Sequence, residues 1–194
     1  MTEKSISEVI HGVTYGIDGR HNHLKKIAFP FITQLTNDLE QAGFKDQIEN
    51  PRSHRPTRMR ITNEVSGTTL VICVSLYIGG AVNSWVVGKI CDLISAQFTG
   101  AFKRLKANYK KMKENHRPSE MVFLFETYYD ADKLSIIVKA ITNGDDELET
   151  TEALIPEALK RVQVWVEKNG ITANTVTLTI KNGVMSEVPR LSES

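Results

Sequence analysis

Between Glu64 and Lys89 the chain carries no charged side chain, and this interval holds the run GTTLVICVSLYIGGAVNSWVVGK, residues 67–89. A hydrophobic α-helix needs about 20 residues to cross a bilayer, so length alone admits a membrane span. Three features oppose it. The first half is dense in β-branched residues, and strands inside a sheet commonly read as unbroken apolar runs. Gly79–Gly80 then interrupts the segment near its middle. Beyond the glycines the apolar period becomes helical, through Val86, Ile90, Ile94, Phe98, Phe102 and Leu105, and it continues past Lys89 and Asp92. That stripe is amphipathic, whereas a lipid-facing helix is apolar all round. The reading is a buried strand, a glycine turn and a helix running to about Lys110, with membrane insertion of residues 65–88 as the alternative. A third possibility is a ligand turn, because Gly-Gly opening a helix can aim backbone N–H groups at an anion. The stretch GGAVNS lacks both the lysine of a P-loop and the spacing of a dinucleotide fingerprint. Gly79 and Gly80 therefore read as residues that permit a tight strand-to-helix turn.

Around this centre the chain alternates helices and hairpins. Residues 1–23, polar and glycine-rich, read as an irregular N-terminal arm. Leu24, Ile27, Phe31, Leu35 and Leu39 recur at helical spacing, with Gly43 as a stop. Pro30 conflicts with a straight helix and predicts a start near Phe29 or a kink. MRITNEV, a turn at Ser66–Gly67 and TTLVICVSLYI form a first expected hairpin. MVFLFETYY and KLSIIVKAI, turning at Asp130–Asp132, form a second. TNGDDELETTE reads as an acidic linker into a helix carrying Ile155, Leu159, Val162 and Val166, with Pro156 placed in its first turn. A third hairpin turns at Asn182–Gly183. HRPTRM at residues 54–59 and HRPSEM at residues 116–121 each precede a hairpin, an echo produced either by internal duplication or by chance. The expected fold class is α+β: an antiparallel sheet of three hairpins with about three helices on one face. Residues 24–188 would form a single domain and residues 189–194 a flexible tail.

At 194 residues, with 41% hydrophobic and 24% charged content, the chain can bury a substantial core, and its composition is that of a globular protein rather than a disordered one. Cys73 and Cys91 lie in apolar surroundings, as packed thiols of a reducing compartment do. The N-terminus lacks the basic start and apolar stretch of a signal peptide. A cytoplasmic protein is expected, with conditional membrane association as the exception.

The segments LVICVSLYIGGAVNSWVVGKICDLI and MVFLFETYYDADKLSIIVKA, within residues 68–141, resemble the small effector-associated domains of bacterial conflict (defence) systems. The resemblance implies a non-catalytic module coupling a sensor or effector to a partner. This chain departs from that pattern by inserting the basic KRLKANYKKMKENHRPSE between helix and hairpin, and by carrying no fused effector segment, so any effector would be a separate chain.

No catalytic spacing stands out. HNH at residues 21–23 is not the nuclease motif of that name, whose letters are not contiguous. No Cys/His cluster completes a metal site from His11, His21, His23, His54 or His116. Cys73 sits in LVICVSL and Cys91 on an apolar helix face, so both read as packed thiols, since a nucleophile needs a cationic neighbour to stabilise its thiolate. Asp130, Asp132, Asp145 and Glu147 read as solvated turn and linker acids. Neither a cofactor, nor a metal, nor a small-molecule substrate is indicated.

Charge is the informative feature. The formal net charge is only +1, yet Lys103, Arg104, Lys106, Lys110, Lys111, Lys113 and Arg117 crowd one helix end, and Arg52, Arg55, Arg58 and Arg60 precede the first hairpin. One basic surface from both groups would meet nucleic-acid phosphates or an anionic membrane. Cations at a helix C-terminus also complement the macrodipole without any partner. The acidic stretch at residues 144–152 could dock on the basic surface of a neighbouring copy. The leading expectation is a non-enzymatic interaction or adaptor module, homo-oligomeric or bound to a protein partner and accessory to a separate effector. The alternatives are binding of nucleic acid or anionic membrane, and membrane insertion.

Overall fold

The computed structural model describes residues 9–19, 22–44, 69–144 and 146–192. The elements are β1 (Ile10–Gly19), α1 (Asn22–Leu39), β2 (Thr69–Ile78), α2 (Ser84–Lys111), β3 (Glu120–Tyr129) and β4 (Leu134–Thr142). They continue with α3 (Asp146–Asn169), β5 (Thr175–Lys181), β6 (Val184–Met185) and β7 (Arg190–Ser192). The fold is α+β. A seven-stranded sheet runs β1-β2-β3-β4-β5-β6, with β7 also paired to β5. The three helices lie side by side on one face, in the order α1, α2, α3.

The sheet is mixed rather than purely antiparallel. β1–β2, β3–β4, β5–β6 and β5–β7 are antiparallel, whereas β2–β3 and β4–β5 are parallel. The second and third expected hairpins are present as β3–β4 and β5–β6. Asn182 and Gly183 turn the latter with φ of 52° and 72°, the paired positive values of a tight two-residue loop. The first expected hairpin differs: β2 pairs with β1 and β3, and residues 59–65 lie outside the described residues. Strand pairing across a helix is non-local, and local patterning does not encode it. The crossovers through α2 and α3 lie on one face while β3 and β4 run antiparallel. Their hands must therefore be opposite, so one is left-handed, against the usual preference of βαβ connections.

From Thr69 onward the opening run forms a strand, a turn and a helix, changing period at the glycine pair. In β2 only Cys73 and Tyr77 are less than buried, because the strand lies inside the sheet. α2 starts four residues after Gly80 and buries Val86, Val87, Ile90, Ile94, Phe98 and Phe102 on one side. Among the described residues no helix is long and apolar enough to cross a membrane. Phenylalanine rings tie the layers together. Phe31 of α1 meets Phe102 of α2 edge-on at 5.2 Å, and Phe102 lies 5.1 Å from Phe123 of β3. Phe98 and Phe125 meet edge-on at 5.6 Å, in the T-shaped geometry that aromatic quadrupoles favour.

Four boundaries differ from expectation. Residues 10–19 form β1 rather than an irregular arm; a bulge between Ile10 and Gly12 puts Ile10 and Val13 on the core side and hides the alternation. α1 runs through Pro30 instead of starting beside it. Pro30 is only half-buried, on the outer side of the helix, where the carbonyl deprived of its donor can turn to water. α3 begins at Asp146, so TNGDDELETTE is largely helix and Pro156 sits well inside it. Acidic residues suit a helix N-terminus, and Glu147 accepts a hydrogen bond from the Asn143 N–H at 2.7 Å. Residues 190–192, expected as tail, pair with β5.

Candidate anion-binding surface

The basic residues of α2 do not act as a block. At 100° per residue, Arg104 and Lys111 point toward α1, while Lys103, Lys106 and Lys110 point toward α3. Lys103, Arg104, Lys110 and Lys111 are exposed, as is Lys113 just beyond the helix. Lys106 is an exception: its Nζ lies 2.5 Å from Glu149 Oε1 of α3. Arg117 is a second exception. Its Nε donates to the Met112 carbonyl at 3.2 Å and its Nη2 to the Lys110 carbonyl at 3.1 Å. The guanidinium also lies 5.2 Å from the centroid of the Tyr109 ring. Arg117 thus satisfies carbonyls left over at the helix end and is a capping residue. Arg52, Arg55, Arg58 and Arg60, with the first HRP loop, lie outside the described residues. The acidic stretch meets the basic helix within one molecule, through Lys106 and Glu149.

Two grooves flank α2. On the α1 side a cleft of about 350 Å³ is lined by Phe29, Pro30, Thr33, Gln34, Asn37 and Arg104. On the α3 side a cleft of about 210 Å³ is lined by Phe102, Lys103, Lys106, Leu148, Glu149 and Glu152. Phe29, Thr33, Gln34 and Asn37 were not apparent as site residues in the sequence. The signal was available: Phe29 falls off the apolar stripe of Leu24, Ile27 and Phe31. At the basic end of α2 the His23 and His116 rings face each other, with centroids 5.6 Å apart.

The strand-to-helix turn is built for closure. The His11 ring lies 2.1 Å from where a Cβ on Gly79 would stand, whereas a Cβ on Gly80 meets nothing within 4 Å. A side chain at position 79 would have to displace the exposed His11 ring, whereas position 80 has open space. The turn also supplies its own anion: Asp132, from the β3–β4 turn, accepts the Val82 N–H at 2.6 Å. Asn83 caps α2 by accepting from the Val86 N–H at 3.0 Å. These contacts engage the Val82 and Val86 N–H groups and place a carboxylate at the turn, which disfavours a bound phosphate there.

Other candidate groups have structural roles. Asp130 pairs with Lys133 at 2.6 Å, and Asp145 lies outside the described residues. Cys91 is buried against α3, with Sγ 3.4 Å from the Pro156 carbonyl. Burial pushes its thiol up to about 11, which makes it a poor nucleophile at neutral pH. Burial likewise pushes the Tyr129 phenol up to about 12. Glu126 is a buried carboxylate that the sequence did not mark. Its oxygens accept from Ser75 Oγ at 2.9 Å and Ser135 Oγ at 2.8 Å, which ties β2, β3 and β4 together. Among the described residues no three His, Cys, Asp or Glu side chains are grouped to hold a metal.

What this surface offers chemically is a set of exposed cations beside a partly aromatic groove that Arg104 itself lines. Compared with known protein families, curated proteins and solved structures, the chain finds no match.

Proposed function

We propose that this chain is a non-enzymatic interaction module that takes an anionic partner on the outer surface of the C-terminal half of α2. The supporting observation is the exposure of Lys103, Arg104, Lys110 and Lys111 over about two helical turns. Cations needed only to complement the helix dipole act within the last turn, and Lys103 and Arg104 lie further back. Binding is tested by titrating the chain with heparin, labelled oligonucleotides and acidic vesicles at low and physiological salt. At least one polyanion should bind, weaken as salt rises, and lose roughly tenfold or more on combined Lys103→Glu, Arg104→Glu and Lys111→Glu substitution. Binding of none, or binding indifferent to these substitutions, overturns the reading.

An adaptor role beside a separate bacterial effector is part of the same proposal. It rests on the resemblance of residues 68–141 to effector-associated domains. Light scattering of the purified chain, with identification of chains that co-purify from the native host, tests it. A lone monomer that retains no partner counts against it.

A further inference from the structure

Of the seven phenylalanines in the chain, six are buried, while Phe29 is 55% exposed. It stands on the outer side of α1, at the wall of the larger groove, with Arg104 of α2 lining the same cleft. An aromatic ring left in water in the same cleft as a guanidinium, among side-chain hydroxyl and amide groups, is the chemistry of a base-stacking platform with a phosphate anchor. We infer that the α1–α2 groove binds single-stranded nucleic acid, with a base stacked on Phe29 and the adjoining phosphate held by Arg104. This inference rests on the polyanion-binding reading above and names its partner.

The surroundings set the direction of the strand. α1 and α2 run antiparallel, since His23 near the start of α1 meets His116 just beyond α2, while Gly100 lies against Gln34 and Asp38. Lys26, exposed, therefore sits one turn from Phe29 toward the same end as Lys111, which is about 10 Å along α2 from Arg104. Lys26, Arg104 and Lys111 form a line of cations past the ring. At the opposite end Asp38 accepts from Gln34 Nε2 at 2.6 Å, placing a negative charge there. Phosphates accordingly track from Arg104 toward Lys26 and Lys111, away from Asp38. Thr33, Asn37 and the Gln34 carbonyl remain to contact base edges. A cleft of about 350 Å³ takes one splayed nucleotide, whereas the bases of a duplex are stacked and cannot reach Phe29.

Fluorescence anisotropy of the full chain provides the test, using labelled oligo(dT) and oligo(U) of about fifteen nucleotides, a duplex of equal length and polyglutamate as competitor. Single strands should bind roughly tenfold or more tighter than duplex. Phe29→Ala and Phe29→Leu should each lose roughly tenfold, and Phe29→Trp should retain binding, because the π face rather than apolar bulk is required. Phe29 is exposed, so unchanged melting temperatures should accompany these losses. Equal binding of duplex, displacement by polyglutamate as effective as by single strands, or indifference to Phe29→Ala would sink the single-strand site. If charge reversal at Lys103, Arg104 and Lys111 still abolished binding in that case, the polyanion reading would survive alone. No binding of any probe by the wild-type chain removes both.

Discussion

The two grooves beside α2 share one helix and differ in what faces it. On the α1 side Arg104 meets Phe29, Thr33, Gln34 and Asn37, with no carboxylate among the lining residues. On the α3 side Lys103 and Lys106 share the cleft with Glu149 and Glu152. Lys103 and Arg104 are adjacent in sequence, yet one residue of helix turns them about 100° apart. A run of cations is therefore not a potential. The field above each cation depends on which neighbouring helix its position on the wheel selects.

Removing the floor of the α3-side groove should have the largest effect. Phe102 also packs on Phe31 and Phe123, so Phe102→Ala should cost about 3–5 kcal/mol of stability, read by denaturant unfolding. Next comes the contrast between sides. Arg104→Glu with Lys111→Glu should weaken oligonucleotide binding at least tenfold, whereas Lys103→Glu with Lys106→Glu should weaken it only about two- to threefold. Equal losses would mean that the grooves are electrostatically equivalent. Glu149→Lys with Glu152→Lys should do the converse, strengthening binding several-fold at low salt and little at high salt.

The seam between α2 and α3 also has a pH signature. The Cys91 thiol is raised from 9.0 to about 11 because the buried site penalises its charged form. The stability it confers is complete below the unfolded value near 9 and is lost as pH rises toward 11. Tyr129, raised from 10.0 to about 12, extends the loss upward. Melting temperatures should fall between pH 9 and 11, and Cys91→Ala should make that fall shallower. The smallest effect expected is that of Lys106→Ala. Its partner Glu149 is largely exposed, so the stability change should stay within about 1 kcal/mol.

Legibility followed periodicity. α2 was readable almost to the residue because apolar positions recur over its whole length, and the Asn182–Gly183 turn because few residue types accept two positive φ values. β1 was not readable: its bulge and its glycines mask the alternation of Ile10, Val13, Tyr15 and Ile17. The first half of α3 was hidden by its acids, although Leu148, Thr151 and Ile155 already carry the helical spacing. Of the proposed surface, the cations were visible as a group. Their division was not, nor was the capping role of Arg117, which depends on carbonyls five and seven residues earlier.

By itself the sequence determined the element types of the central region, the change of period at Gly79–Gly80 and the class of the fold. Those follow from local backbone preference and from which side chains avoid water. Only the tertiary structure decided that β2 pairs in parallel with β3, that Asp132 fills the helix-opening turn, and that Phe29 shares a groove with Arg104. Each of these joins residues about fifty or more positions apart, where chain packing rather than local pattern sets the distance.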